Sequence, residues 1–316
     1  IDAVMKLGLR SGIKFRAVCD IWEDWNLKMV GGRLDKYKRV GHSGTRYVDY
    51  REMLDKEKDN LDAVIVATPD FWHAEHTNAC LEAGLDVYCE KEMSNTIEGA
   101  KSMVETARKT GKLLQIGHQR RSNPRYLHCY DHIINEAELL GRITTINGQW
   151  NRSAKACEDL GWPKGKAIPK EVLNKYGFKD MKQFRNWRWY KGLGGGPIVD
   201  LGSHQIDIYS WFLGNAKPKN VVASGGIDYW TDHEWYDNVI AVYEFPTKEG
   251  NTVRASYQTI TTNGSGGYFE KFMGIDGTLE ISEAGSRGSV FRSPAILASE
   301  WDKWVKKGYI TSEIKE

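Results

Sequence analysis

The sequence predicts two successive domains: an α/β domain on an open parallel sheet over residues 1–122, then an α+β domain with a large, mostly antiparallel sheet over residues 123–316. Three observations carry this. The first third of the chain alternates short apolar runs with helical stretches, the pattern of βαβ units. Beyond Pro124 the strands acquire polar alternation. The chain has 316 residues, more than the about 250–300 that a single core organises.

In the first domain, residues 15–19 (FRAVC), 63–67 (AVIVA), 87–89 and 113–117 (LLQIG) read as short buried strands. Residues 50–54, 73–83 and 97–110 carry helical spacing, and Gly84 and Gly111 close the last two helices as C-caps. In the second domain one helix over 125–140 leads into strands at 143–150, 238–245, 252–258, 268–275 and 278–281, with turns at Asn263-Gly264 and Asp276-Gly277. Residues 153–186 form a polar, Lys-rich, Trp-containing insertion that fits neither pattern.

Lys and Arg number 44 against 42 Asp and Glu, a net charge of +2, so no single-sign field exists to attract nucleic acid or an anionic membrane. No apolar run approaches the about 18 residues of a membrane helix, and no signal-peptide pattern is read in the sequence. The reading is of a soluble protein, cytoplasmic or periplasmic, that handles a small molecule. Cys19, Cys80, Cys89, Cys129 and Cys157 are an odd set without metal-type spacing and read as small buried residues.

Asp20 ends the strand FRAVCD. In a Rossmann-type fold an acid at that place accepts hydrogen bonds from the adenosine ribose and disfavours a 2′-phosphate, which points to NAD over NADP. The glycine fingerprint that precedes such an acid by about 20 residues is absent, because Gly8 and Gly12 fall in the stretch just before FRAVCD. The chain is therefore read as lacking its first strand and glycine loop, and is expected to bind NAD poorly by itself. Thr68 and Pro69 follow AVIVA at the carboxyl end of a strand, where open α/β sheets place ligands, with Pro69 starting the next helix. His73 is expected near the nicotinamide or ribose and His76 in solvent. The two stand three apart, but no further ligand completes a metal site and none is expected.

The segments ATPDFWHAEH, CLEAGLDVYCEKEMS, GHQRRSNPRY and GGGPIVDLGSHQIDIYSWFLG, in this order and spacing, resemble the glucose-fructose oxidoreductase and inositol dehydrogenase (Gfo/Idh/MocA) family over residues 1–285. The resemblance implies a Rossmann domain carrying NAD(P). It also implies an antiparallel sheet that supplies the substrate face and the contacts of a homo-oligomer, a dimer or tetramer. By position, Glu90-Lys91 resembles the family's Glu-Lys-Pro signature, whose lysine sits between nicotinamide and substrate hydroxyl; here Glu92 stands in place of the proline. Asp200 and His204 match its Asp-x-x-x-His pair, and Gln119 in the third motif joins Asp20, Thr68, Pro69, His73, Glu90 and Lys91 as a cofactor-binding candidate.

Read as residues alone, 198–213 is a strongly apolar helix on which Asp200, His204 and Asp207 fall at i, i+4 and i+7 and share one stripe. A buried stripe of ionisable groups needs a polar cleft or a partner, and a structural Asp-His-Asp network or a salt bridge to Arg satisfies that need as an active site does. Gly194, Gly195 and Gly196 before it let the backbone pass close to a ligand or simply turn. Oxidising an alcohol requires a base that titrates near the working pH, which selects His204; Lys91 would stabilise charge on the same oxygen, and Asp200 would orient the imidazole or bind a neighbouring hydroxyl. Arg121 or Arg188 suits a hydroxyl or carboxylate, and Trp187 the wall of a sugar pocket.

Three functions follow. The leading one is hydride transfer between nicotinamide and a secondary alcohol of a sugar, glycoside or cyclitol. The second is glycoside processing by transient oxidation on a retained NAD. The third is a cofactor-binding sensor without turnover, which has no need of Lys91, Asp200 and His204 together.

Overall fold

The computed structural model describes residues 12–312, so the stretch through Gly8 lies outside the described residues. The chain divides into two compact units, one formed by Ile1–Gly117 with Asp159–Trp187 and the other by His118–Glu158 with Arg188–Glu316. The division thus falls near Gly117, a few residues before the expected position, and most of the unassigned insertion packs with the first unit. Among the described residues no helix is long and apolar enough to cross a membrane.

Among the described residues the first unit holds two parallel sheets. β1 (Ala17–Cys19) pairs with β2 (Thr45–Tyr47), and β4 (Asp86–Glu90) lies between β3 (Ala63–Val66) and β5 (Leu114–Gly117). Helices α1 (Lys28–Asp35), α2 (Tyr50–Glu57), α3 (Asp70–Glu82) and α4 (Ile97–Thr110) connect them. The chain signals its own stops. Thr96 caps α4 by accepting from the Gly99 N–H at 3.0 Å, and Gly111 ends it at φ 67°, a left-handed conformation open to glycine. Val66, Leu81, Val87, Cys89 and Met103 form the core between sheet and helices. Every thiol is free, and burial pushes those of Cys19, Cys80 and Cys129 up to about 12, which makes them poor nucleophiles.

The insertion carries α6 (Lys170–Lys175) and α7 (Met181–Arg185), numbered after α5 (Pro124–His128). It grips the segments that follow β1 and β3. Trp22, 1% exposed, donates its indole N–H to the Lys166 carbonyl at 2.6 Å and meets Phe184 edge-on. Trp72 donates to the Tyr176 carbonyl at 3.2 Å, and Phe71 packs edge-on against Phe178.

The second unit is a seven-stranded sheet in the order β12-β11-β10-β6-β9-β8-β7. Its strands are β6 (Ile143–Asn151), β7 (Asn220–Gly226), β8 (Asn238–Pro246), β9 (Thr252–Ile260), β10 (Tyr268–Gly274), β11 (Gly277–Ile281) and β12 (Gly288–Arg292). Every neighbouring pair is antiparallel except β6 and β9. The Asp276-Gly277 turn joins a hairpin as expected, whereas Asn263-Gly264 lies in a connection that passes β6, because β9 and β10 are not neighbours.

Two helices depart from expectation. The one predicted over 125–140 is α5 continued by a wider π-type winding, Cys129–Glu136. The one predicted over 198–213 breaks at Leu201 into α8 (Gly196–Asp200) and α9 (Gly202–Phe212). The reason is a close approach: a Cβ on Gly202 would lie 2.8 Å from the Tyr257 ring, so only glycine lets the helix start against β9. Helix α9 buries Ile208, Tyr209 and Phe212 in one core with Ile146, Ala255, Tyr257 and Phe272 of the sheet.

Candidate active site

In the first unit the predicted cofactor residues gather at the carboxyl ends of the parallel strands. Asp20 follows β1 and accepts the Trp22 N–H at 2.7 Å; burial pushes its carboxyl above the ordinary range, against hydrogen bonds from Trp22 and Asn26. Pro69 is the N-cap residue of α3. His73, 1% exposed, joins the two strand-end turns: Nε2 lies 2.7 Å from the Thr68 carbonyl and Nδ1 2.5 Å from the Glu92 carbonyl. Burial pushes its imidazole below the ordinary range, against those two acceptors and Glu90.

Lys91 follows β4, directly after Glu90, its last residue. Its Nζ lies 3.1 Å from Glu92 Oε1, and the two side chains are 15% and 11% exposed. The Lys91-Glu92 peptide bond is cis. A cation held low in exposure by a neighbouring carboxylate, at the ligand edge of a parallel sheet, is equipped to donate to an oxygen that gains negative charge. His76 corrects an expectation: it is partly buried rather than exposed, stacked on Trp72 at 5.1 Å and 3.1 Å from Thr68 Oγ1, and burial lowers its pKa to about 4. Trp187, at the end of this unit, is 8% exposed.

In the second unit Gln119 opens a short turn, Gln119–Ser122. Arg121, expected to face substrate, instead holds Asp207 with Nε and Nη2 at 2.8–2.9 Å, and its guanidinium lies over Trp211 at 5.5 Å. Asp200 ends α8 and pairs with Arg188 at 2.8 Å. Because the helix breaks, Asp200 and Asp207 do not continue one stripe through His204: each carboxylate has its own arginine, the salt-bridge alternative that the residues alone left open. His204, on the first turn of α9, is 7% exposed, and its ring lies 5.3 Å from that of Trp150 on β6. The glycine run is shaped by Trp235, whose indole donates to the Gly194 carbonyl at 2.9 Å and would collide with a Cβ on Gly196.

Sequence reasoning missed the residues around His204, namely Trp150, Arg120 and Glu270. The signal for Trp150 and Glu270 was an inward position on a strand, which emerges only from the β6–β10 register, whereas Arg120 sits in the Gln119–Ser122 turn, where nothing local marks it.

The model for the oxidoreductase family with an NAD-binding Rossmann fold, GFO_IDH_MocA, matches residues 32–118, and that for the GFO/IDH/MocA C-terminal domain matches residues 169–290. The chain is 30% identical over 214 residues to D-glucoside 3-dehydrogenase of Escherichia coli (strain K12), a match covering 68% of this chain and 50% of that protein. It is 26% identical to scyllo-inositol 2-dehydrogenase (NADP(+)) IolW of Bacillus subtilis (strain 168), over 90% of this chain and 72% of that one. The chain thus spans about half the length of the first of these relatives. Among solved structures, the WlbA dehydrogenase from Bordetella pertussis in complex with NADH and UDP-GlcNAcA shares the fold at TM-score 0.68 and 19% identity, over 99% of this chain and 86% of that one. Myo-inositol 2-dehydrogenase from Lactobacillus plantarum does so at TM-score 0.62 and 20% identity, over 97% and 84%.

Proposed function

Because the chain belongs to the Gfo/Idh/MocA oxidoreductase family, through both its NAD-binding and its C-terminal domain, we propose that it is an NAD(P)-dependent dehydrogenase acting on a secondary alcohol of a sugar, glycoside or cyclitol. The observation that carries this reading is Lys91, held at the carboxyl end of β4 with Glu90 and Glu92 beside it. Asp20 fits the cofactor's adenosine ribose, a partly buried carboxylate at the end of β1; Thr68, Pro69 and Glu90 line the strand ends that would face the rest of it, Gln119 joins them by its motif, and His73, buried with both ring nitrogens on backbone carbonyls, ties two of those turns together rather than facing the cofactor. When bound, the nicotinamide accepts or returns the hydride. The chain's own work is then to hold and move a proton at the substrate oxygen: His204 takes it, and Lys91 donates a hydrogen bond to the same atom. Asp200 acts through the Arg188 pair that fixes the end of α8, just before the turn that carries His204.

A panel of hexoses, methyl glucosides, uronates and inositols, scored for NADH absorbance, tests the reading; no turnover on any of them would move the sensor function to first. A second reading, glycoside processing on a retained cofactor, is favoured by the grip of the insertion on the segments after β1 and β3. It would release free sugar from a glycoside without net NADH.

NAD is the expected partner. Asp20 disfavours a 2′-phosphate, and Ile21, Trp22 and Glu23 after it offer no cation. We expect kcat/KM of the full-length protein to favour NAD by about tenfold or more, and Asp20→Ser to narrow that ratio. A wild-type preference for NADP would overturn the assignment.

A homo-oligomer is expected through the open face of the second sheet. Val222 of β7 and Ile240 and Val242 of β8 lie on one face at 76%, 54% and 39% exposure, an apolar patch suited to a second copy. Light scattering on a sizing column should give a dimer or tetramer, shifted toward monomer by Ile240→Glu. A wild-type monomer at micromolar concentration would contradict this.

A further inference from the structure

The most deeply buried charges of the second unit adjoin Trp150, the ring next to His204. Arg120 is 1% exposed and Glu270, on β10, 0%. They form an ion pair; Tyr126 donates its hydroxyl to the other carboxylate oxygen of Glu270 at 2.7 Å, and Arg120 Nε pairs with Glu283 at 3.0 Å. Taking both charges out of water is costly, and apolar side chains of similar volume are often as stable or more so in such places. Stability alone therefore does not explain the pair.

Its surroundings give it a use. The Arg120 guanidinium lies 5.5 Å from the Trp150 ring, and Trp150 stacks on Tyr268, its cross-strand partner, with centroids 4.6 Å apart. His204 is a further ring neighbour of Trp150, at 5.3 Å. Gln205, fully buried and next to His204 on α9, faces the Glu270 carboxylate without a well-aligned hydrogen bond. Arg120 shares the Trp150 ring with the partly exposed Arg152, whose guanidinium lies 5.3 Å from it; of the two, Arg120 is the buried one, and its planar guanidinium, oriented once paired, is the one able to restrain the ring.

We propose that Arg120 and Glu270 are positioning residues that hold Trp150 and Gln205 in place and through them set the imidazole of His204. The proposal rests on the reading of His204 as the base, and the test separates the two.

The variant to make is the paired swap Arg120→Met/Glu270→Leu, which removes both charges together and leaves neither buried alone. Two readouts apply. In protein labelled with 13Cε1-histidine, the His204 resonance, assigned by its loss in His204→Ala, carries the ring-current shift of Trp150. We expect the swap to move it while the other histidine signals stay. With methyl β-D-glucopyranoside or myo-inositol, whichever is turned over faster, kcat should fall about 10- to 100-fold while KM and the NAD dissociation constant stay within a few-fold, as misplacement of a reacting group predicts.

A folded swap with an unmoved His204 signal overturns the proposal whatever the activity; a moved signal with undiminished kcat also overturns it, provided that His204→Ala is inactive. If His204→Ala turns over like the wild type, the functional reading fails instead, and the resonance alone decides on positioning. Should the swap not fold, Glu270→Gln keeps the shape and an acceptor for Tyr126, and the same two readouts apply to it.

Discussion

In the full-length protein, Lys91→Met should lower kcat by about 10²- to 10⁴-fold on the best substrate of the panel, while the NAD dissociation constant changes by no more than a few-fold. The size follows from the site. Methionine keeps the length and packing of the side chain but removes the cation that would meet the developing charge on the substrate oxygen, in a place only 15% exposed, where water compensates poorly. Binding should survive because Asp20, at the end of a different strand, would hold the far end of the cofactor. Steady-state kinetics with calorimetry on the same preparation separates the two quantities. Near wild-type turnover would show that the chemistry has been placed at the wrong strand end.

His204→Ala should produce a loss of the same order, about 10²- to 10⁴-fold in kcat, with a second signature that Lys91→Met lacks. A base must be unprotonated to act, so the wild-type profile of kcat/KM rises as pH rises through its titration, and this limb should vanish in the variant. The double variant should lose less than the product of the two single effects, since both groups would act on one oxygen and groups that work as a unit are not additive. Full multiplicativity, or an ascending limb that persists in His204→Ala, would assign the base elsewhere.

Much of the first unit was legible because its signals are local. AVIVA is an apolar run bounded by polar turns, and Thr96 and Gly111 mark the ends of α4 within a few residues of the helix they bound. The strands that escaped reading lacked such signals: β2, TRY, is three residues long, β7, NVVASGG, is exposed along nearly its whole length and ends in two glycines, and β12, GSVFR, lies at the opposite sheet edge from β7. The break at Leu201 was invisible because its cause, the Tyr257 ring against Gly202, comes from a strand far along the chain. The same holds for the partners of the site. Lys91 and His204 could be picked out by residue type and motif, whereas the arginines that claim Asp200 and Asp207 became evident only with the tertiary structure.

That Asp159–Trp187 returns to complete the first unit bears on how the protein is made. A nascent chain that has reached Gly117 has its parallel strands but not the residues that cover Trp22, Phe71 and Trp72. Synthesis must pass through His118–Glu158, material of the second unit, before Lys166, Tyr176 and Phe178 emerge. The first unit therefore cannot finish ahead of the second in the simple vectorial order of tandem domains. A ribosome stalled near residue 120 would present Trp22, which the finished protein buries, and Phe71 and Trp72, which it covers in part, a natural footing for a chaperone during that interval.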